Sequence, residues 1–272
     1  MIKMLVLDID GTILSERKGI SDNLKKHIRI LRHNGIKVVI ATGRMHVSAR
    51  HIAKELGTDE PIISYQGGLV IDSDNRKLWS KLLDETLAKE VISYLRNEKI
   101  HINVYVNDEL IVENISREVL DYVDGKYISY TKVDSLDNIC FEGLNKVLAI
   151  DYDKEKIINL VDILREKYQE KLYIVRSTPH FCEVSHPEAT KGNGIRFLAE
   201  QWKIEQHEIM AIGDQDNDIE MLKAAGKRVA MGNATENLKE VANFITKTVD
   251  EDGVVHAIKT FINLEELKCN IE

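Results

Sequence analysis

Asp8 and Asp10 stand two residues apart at the end of the apolar run 2–7. Three further polar residues take similar places far along the chain: Thr42 closes the run 36–41, Asp214 follows 209–212 and Gly213, and Lys191 opens the stretch leading to that last run. In an open parallel sheet, ligands bind beyond the carboxyl ends of the strands. If these strands are neighbours, one crevice holds three carboxylates, a hydroxyl and an ammonium. Clustered carboxylates repel unless a cation lies among them. A hard ion such as Mg²⁺ takes a few carboxylates together with waters and a substrate phosphate. Asp8 can then attack phosphorus and form an aspartyl phosphate, which divides one hard step into two easier ones. Asp10 can protonate the leaving oxygen and later activate the hydrolytic water. Thr42 and Lys191 can hold the phosphoryl oxygens, where charge concentrates.

Positioning these residues needs alternating strands and helices, and the apolar periodicity supplies them. Ser21 is suited to cap a helix whose Leu24, Ile28 and Leu31 recur at i, i+4 and i+7, with Asn34-Gly35 as its stop. A helix over 46–56 stops at Gly57, and strand three covers 62–65. After Gly67-Gly68 the style changes: runs 69–71 and 77–82 flank the turn Asp72-Ser73-Asp74-Asn75. From 84 to 186 the elements read as antiparallel, with helices over 85–97 and 154–168 and strands over 102–106, 109–113, 146–150, 172–176 and 181–185. The parallel pattern resumes with a helix over 192–202, strand 209–212, helix 217–225, strand 228–231 and a closing helix over 253–262. The fold class expected is α/β: a Rossmann-like doubly wound parallel sheet with an inserted α+β cap. Its domains are 1–83 with 187–272 as a discontinuous catalytic core, and 84–186 as the insert.

The 272 residues suffice for a full hydrophobic core, and 43% hydrophobic with 30% charged residues is ordinary for a globular chain. A net charge of −8 and the lack of a long Lys/Arg run speak against a sequence-independent nucleic-acid binder. No apolar run approaches the ~20 residues that span a bilayer, so no membrane partner is expected, and the first aspartates arrive too early for a signal peptide. The cytoplasm is the expected compartment, a small phosphate ester the expected partner, and no obligate protein partner is evident. Cys140, Cys182 and Cys269 are widely spaced and read as thiols rather than a disulfide framework.

Four motifs then carry a resemblance. Asp8-Ile9-Asp10-Gly11-Thr12 resembles the first motif, D-x-D-G-T, of the haloacid dehalogenase-like hydrolases. Ala41-Thr42-Gly43-Arg44 resembles the second, Lys191-Gly192-Asn193-Gly194 the third, and Gly213-Asp214-Gln215-Asp216-Asn217-Asp218 with Met221 the fourth. The insert between motifs two and three resembles the large cap of the Cof-type subfamily, as do Met231-Gly232-Asn233-Ala234 and Asp252-Gly253-Val254. The resemblance implies a Mg²⁺-dependent phosphatase with Asp8 as nucleophile and Asp10 as acid/base. It implies Mg²⁺ held by the Asp8 and Asp214 side chains and the Asp10 main-chain carbonyl, with phosphate bound by Thr42, Gly43, Lys191 and Asn217. It also implies that Asp218 orients Lys191 or metal-bound water, and that the cap selects the leaving group. Gln66-Gly67-Gly68 departs from the subfamily's Asn-Gly-Ala-like segment, so Gln66 receives no role.

Plainer readings stand beside these. Asp8 and Asp10 suit a strand-to-helix turn, Thr42 a helix cap. Arg44 can reach substrate or pair with an acidic neighbour, and Asp216 is assigned to solvent and to capping the helix after it. His180 and His186 flank the expected cap-to-core crossing, from which they can approach substrate, whereas His101, His207 and His256 sit on element edges without metal-ligand spacing. Tyr122, Tyr127 and Tyr130 can line the leaving-group pocket but are read first as packing residues. Two rival functions remain: transfer of the aspartyl phosphate to a sugar hydroxyl, and a non-enzymatic sensor of phosphorylated metabolites.

Overall fold

The computed structural model describes residues 1–263; Cys269 and the end of the 187–272 segment lie outside the described residues. Five parallel strands run in the order Phe244–Ile245, Lys227–Ala230, Ile209–Gly213, Met4–Leu7 and Lys37–Ile40. The first strand is therefore internal, with an early strand on one side and a late one on the other. Chain direction across the sheet reverses there, which opens a crevice at the carboxyl ends. Met4–Leu7 and Ile209–Gly213 are buried at every residue, as strands covered on both faces must be. The register Leu7–Ile212 and Leu7–Ile40 brings the residues that follow, Asp8, Gly213-Asp214 and Ala41-Thr42, to one edge.

Helices cover this sheet where local chemistry starts and stops them. Asp22–His33 begins where the Ser21 hydroxyl accepts the Leu24 amide at 3.0 Å and buries Leu24, Ile28 and Leu31. His46–Leu56 ends at Gly57 with φ 83°, a left-handed turn that glycine takes without a Cβ clash. Its own N-cap, Met45, offers no side-chain oxygen. Asp108, from the turn after His101–Val106, supplies both carboxylate oxygens to the His46 and Val47 amides at 2.9 and 2.8 Å. Tyr65 donates to the same carboxylate at 2.6 Å.

Along the chain, between the segments that build the parallel sheet, a separate six-stranded sheet forms in the order Tyr173–Thr178, Phe181–Ser185, Leu144–Ile150, His101–Val106, Glu109–Val112 and Tyr130–Lys132. It is antiparallel apart from its last pair, Glu109–Val112 with Tyr130–Lys132, which runs parallel because the helix Arg117–Val123 carries the chain back across. Neither that helix nor that strand was expected from sequence. The seven-residue helix has few periodic apolar positions, and two of the edge strand's three residues are exposed. Strand three also differs from expectation. Ile62–Ser64 touches the parallel sheet through one bridge, Ala41–Ile63, and otherwise forms an antiparallel sheet with Leu69–Ile71 and Lys77–Ser80.

Three apolar clusters result. One draws on residues between 2 and 70 and between 195 and 262, and a second on residues between 83 and 184. The third joins Met45, Tyr65 and Leu69 to Tyr105, Leu110, Val112, Val119, Tyr122, Leu148 and Ile150. No helix among the described residues is long and apolar enough to cross a membrane. Cys182 is buried, which pushes its thiol up to about 12, and Cys140 is exposed.

Candidate active site

Lys191 is wholly buried at the start of the helix Lys191–Trp202. Its ammonium donates to Asp8 Oδ1 at 2.6 Å and to Asp218 Oδ1 at 2.5 Å. Asp218 Oδ2 accepts the Asp214 and Gln215 amides at 2.9 and 3.1 Å, so both of its oxygens are engaged. The Asp214 carboxylate accepts Thr12 Oγ1 at 2.9 Å on one oxygen and Gln215 Nε2 at 3.1 Å on the other. Among the described residues, nothing donates to Asp8 Oδ2. Oxygens of Asp8, Asp214 and Asp218 lie within 4.8 Å of one another, all buried. Gly11 makes this approach possible. Its φ is 78°, and a Cβ there would meet Asp214 Oδ2 at 2.3 Å.

The electrostatics follow from this crowding. Burial pushes the Asp8 carboxyl well above the ordinary range against the pull of Lys191, with Asp218, Asp214 and Asp10 adding to the rise. Burial, with the Asp218 charge next, raises Asp214 to about 7. A lone ammonium does not satisfy three buried carboxyls. An all-oxygen donor set of this charge fits a hard divalent cation, which would hold Asp8 and Asp214 ionised. Among the acids nearby, Asp218 is the one already spent on Lys191 and two amides.

Asp10, also expected at the site, faces differently. Arg44 grips its carboxylate with both prongs, Nε to Oδ2 at 2.8 Å and NH2 to Oδ1 at 2.5 Å. Burial pushes the Asp10 carboxyl up, but the Arg44 hydrogen bonds and charge more than offset this and leave it below its usual value. Of the two readings left open for Arg44, the structure contains the acidic pairing. Thr42 caps no helix; its hydroxyl accepts the Arg44 amide at 3.2 Å within the 41–44 loop. Asp216, expected in solvent, instead accepts Thr235 Oγ1 at 2.7 Å and lies 3.6 Å from the Arg176 guanidinium. The helix expected over 217–225 is a 3₁₀ turn, Asp216–Asp218, followed by Ile219–Lys223. That tighter turn lets Asp218 fold back onto Asp214.

A second buried polar group was missed in the sequence. Gln66 is fully buried with φ 59°, in the left-handed region, after Tyr65 at φ 51°. Its Oε1 accepts Asn217 Nδ2 at 3.0 Å and its Nε2 donates to Glu183 Oε1 at 2.9 Å. Glu183 Oε2 pairs with Lys146 Nζ at 2.6 Å, and Lys146 also donates to the Gly43 carbonyl at 2.8 Å. Residues 43, 66 and 217 are thereby linked to 146 and 183 without water. Gly43 must lack a side chain, since a Cβ would meet Gln66 Nε2 at 2.3 Å. The available signal was the Gln66-Gly67-Gly68 departure itself; nothing local marks Lys146 or Glu183 as partners. Gln66→Leu leaves Glu183 Oε1 and Asn217 Nδ2 buried without that amide. We expect a loss on the order of 3 kcal/mol, read by urea unfolding at equilibrium; unchanged stability would remove the linkage from the account of this site.

Asp8, Asp10, Thr42, Gly43, Arg44, Asp214 and Asn217 open onto one cavity of about 500 Å³. Lys191 and Asp218 stand behind Asp8. The opposite wall comes from residues 118–183 and includes Tyr122, Lys126, Tyr152, His180 and Phe181. Tyr122 and His180 thus reach the cavity, while His186 instead accepts the Glu188 amide. Burial lowers the Lys126 ammonium to about 8.

The comparisons with known proteins bear on nearly the whole chain. The family model described as haloacid dehalogenase-like hydrolase matches residues 5–258. Phosphatase YwpJ of Bacillus subtilis is 30% identical, over 95% of this chain and 99% of its own. A haloacid dehalogenase-like hydrolase from Bacteroides thetaiotaomicron superposes with a TM-score of 0.84 at 30% identity, covering 96% of this chain and 100% of its own. A hydrolase of the same description from B. subtilis gives a TM-score of 0.86 at 29% identity, with 96% and 100% covered.

Proposed function

We propose, from the premise that this chain belongs to the haloacid dehalogenase-like hydrolase family and is a phosphatase, that it hydrolyses small phosphomonoesters with Mg²⁺ through a phosphorylated Asp8. The observation that carries this reading is the buried Lys191 bridge to Asp8, set beside Asp214 at the floor of a cavity. A catalytic carboxylate must be ionised, aimed and backed by positive charge; Lys191 aims Asp8 and backs it with charge, and the divalent cation assigned below would keep it ionised against its burial.

Family membership implies a divalent metal, and Asp8 and Asp214 with the Asp10 main-chain carbonyl are the groups we assign to Mg²⁺. When bound, the ion neutralises phosphate charge and keeps the carboxylates ionised. The remaining work falls to the chain. Lys191 fixes Asp8 through one oxygen and contributes charge to the phosphoryl group. Asp218 fixes Lys191. The Asp8 carboxylate attacks phosphorus as the ester oxygen departs, and Asp10 delivers a proton to that oxygen. For this, substrate must displace the Arg44 fork, because a carboxylate held below its usual pKa does not carry a proton. Asp10 then takes a proton from the water that cleaves the acyl phosphate, which restores Asp8. Thr42, the Gly43 amide and Asn217 are assigned to the phosphoryl oxygens.

We divide the chain into a core of 1–83 with 187–272 and an inserted cap of 84–186 that selects the leaving group. The two separate apolar clusters support this division. A B. subtilis relative, 29% identical over 96% of this chain, bears the name 5-amino-6-(5-phospho-D-ribitylamino)uracil phosphatase. That name supports a small-molecule ester as the substrate class. Turnover of an aryl phosphate should fall at least about a hundredfold on chelation and return on adding Mg²⁺; activity indifferent to chelator contradicts the reading.

A further inference from the structure

Among the described residues, three lysine or arginine side chains line the cavity, and two are neutralised in place. Arg44 is held by Asp10, and Lys146 by Glu183. Lys126 is different. Among the described residues it makes no side-chain hydrogen bond and no ion pair. Its ammonium instead lies over the Tyr122 ring at 4.3 Å and the Phe181 ring at 5.8 Å.

The loop that presents Lys126 is fixed at both ends. The Lys126 amide donates to the Val123 carbonyl at 3.1 Å, closing the helix Arg117–Val123. The next residue, Tyr127, stacks on His51 of the helix His46–Leu56 with ring centroids 4.6 Å apart. Lys126 therefore faces the floor of the cavity from the opposite wall. Its charge is felt at Asp10, although the two stand beyond ion-pairing distance. Asp10 is the group assigned to the leaving oxygen, so the space between them belongs to the leaving group.

An ammonium half removed from water needs a counter-charge or a polar partner. The ring faces of Tyr122 and Phe181 provide part of that stabilisation but leave the charge intact. Of the acids on the same wall, Asp121 is taken by Arg117 at 3.3 Å and by the Tyr152 hydroxyl. Glu118 and the exposed Glu16 line the cavity without pairing to Lys126. A hydroxyl on the substrate would accept one hydrogen bond and leave the ammonium charge uncompensated; an anion would neutralise it.

We propose, resting on the phosphatase reading above, that Lys126 binds an anionic group carried by the leaving group, a carboxylate or a second phosphate. The preferred substrates are then phosphomonoesters with a further negative charge a few bonds from the scissile oxygen.

The test compares matched esters with wild type, Lys126→Met and Lys126→Arg in the full chain with Mg²⁺. Glycerol 3-phosphate against 3-phosphoglycerate isolates a carboxylate, and fructose 6-phosphate against fructose 1,6-bisphosphate isolates a second phosphate. In wild type at low salt, kcat/KM should favour the anionic member of at least one pair by about tenfold. Which pair shows it identifies the anion. In Lys126→Met that ratio should fall to near one, mainly through KM, and Lys126→Arg should keep most of it. Circular dichroism confirms that both variants fold, and Lys126→Arg keeps the charge question open to test if Lys126→Met does not. A wild-type ratio near one in both pairs, or a preference that survives in Lys126→Met, overturns the proposal. Turnover of aryl phosphate without any charge preference sinks this inference alone. Absence of turnover for every ester, aryl phosphate included, takes the phosphatase reading and this inference together.

Discussion

Asp8→Asn should lower aryl phosphate turnover by about 10⁴-fold or more, the scale seen when a covalent nucleophile is removed. The amide keeps the size of the carboxylate and can still accept from Lys191, whose second bond to Asp218 at 2.5 Å is untouched. It cannot form the acyl phosphate. Stability should not fall with activity. Burial already disfavours the Asp8 charge, and Asp218, Asp214 and Asp10 disfavour it further, so a neutral side chain removes repulsion. In chelator, the melting temperature of Asp8→Asn should equal or exceed that of wild type. A variant within tenfold of wild-type activity would contradict the nucleophile assignment; one that is inactive because it unfolds would show the carboxylate to be structural.

Lys191→Met should damage both fold and function. The wild-type ammonium bridges two buried carboxyl groups, and taking one partner from a buried ion pair costs about 3–5 kcal/mol. The expected activity loss is at least about 10³-fold, since the variant loses positive charge beside the reacting phosphoryl group. The cost should also depend on pH, with a definite sign. In the unfolded chain Asp8 ionises near the ordinary carboxylate value, whereas in the fold its pKa is raised. The folded state then binds more protons than the unfolded state, so stability falls as pH rises. Asp214, raised to about 7, has the same sign between the ordinary carboxylate range and neutrality. Loss of Lys191 removes the group that opposes this rise at Asp8. Urea unfolding in chelator should therefore show a larger deficit for Lys191→Met at pH 8 than at pH 5. Equal deficits at the two pH values would mean that Lys191 acts through packing rather than charge.

Much of the parallel sheet was legible because its strands are buried on both faces and end at polar residues. Asp8, Thr42 and Asp214 were legible as strand ends, while the strand order that makes those ends neighbours is seen only in the fold. Lys191 was legible from its position before Gly192 and ahead of the strand leading to Asp214. Short elements were not. Arg117–Val123 and Tyr130–Lys132 are held by tertiary contact, Val119 and Tyr122 packing into the cluster that also contains Tyr65 and Leu148. Expected as part of an antiparallel insert, this region instead contains a parallel pair, which depends on a crossover too brief to leave a periodic pattern. The Gln66–Glu183–Lys146 group was hidden for another reason. Its members lie 117 and 37 residues apart along the chain, and a glutamine, a glutamate and a lysine read singly as solvated residues. Lys126 was hidden in the same way, since its exception is that among the described residues it has no hydrogen-bonding or ion-pair partner, which only the folded chain reveals.

The most direct measurement is to find where phosphate resides during turnover. Wild-type protein mixed with substrate and Mg²⁺, quenched in acid within one turnover and digested, should yield a phosphorylated peptide whose modification maps to Asp8 and disappears in Asp8→Asn. Rapid release of inorganic phosphate with no acid-stable phosphate on Asp8 at any quench time, or phosphate mapped to another residue, would contradict a reaction that passes through this carboxylate.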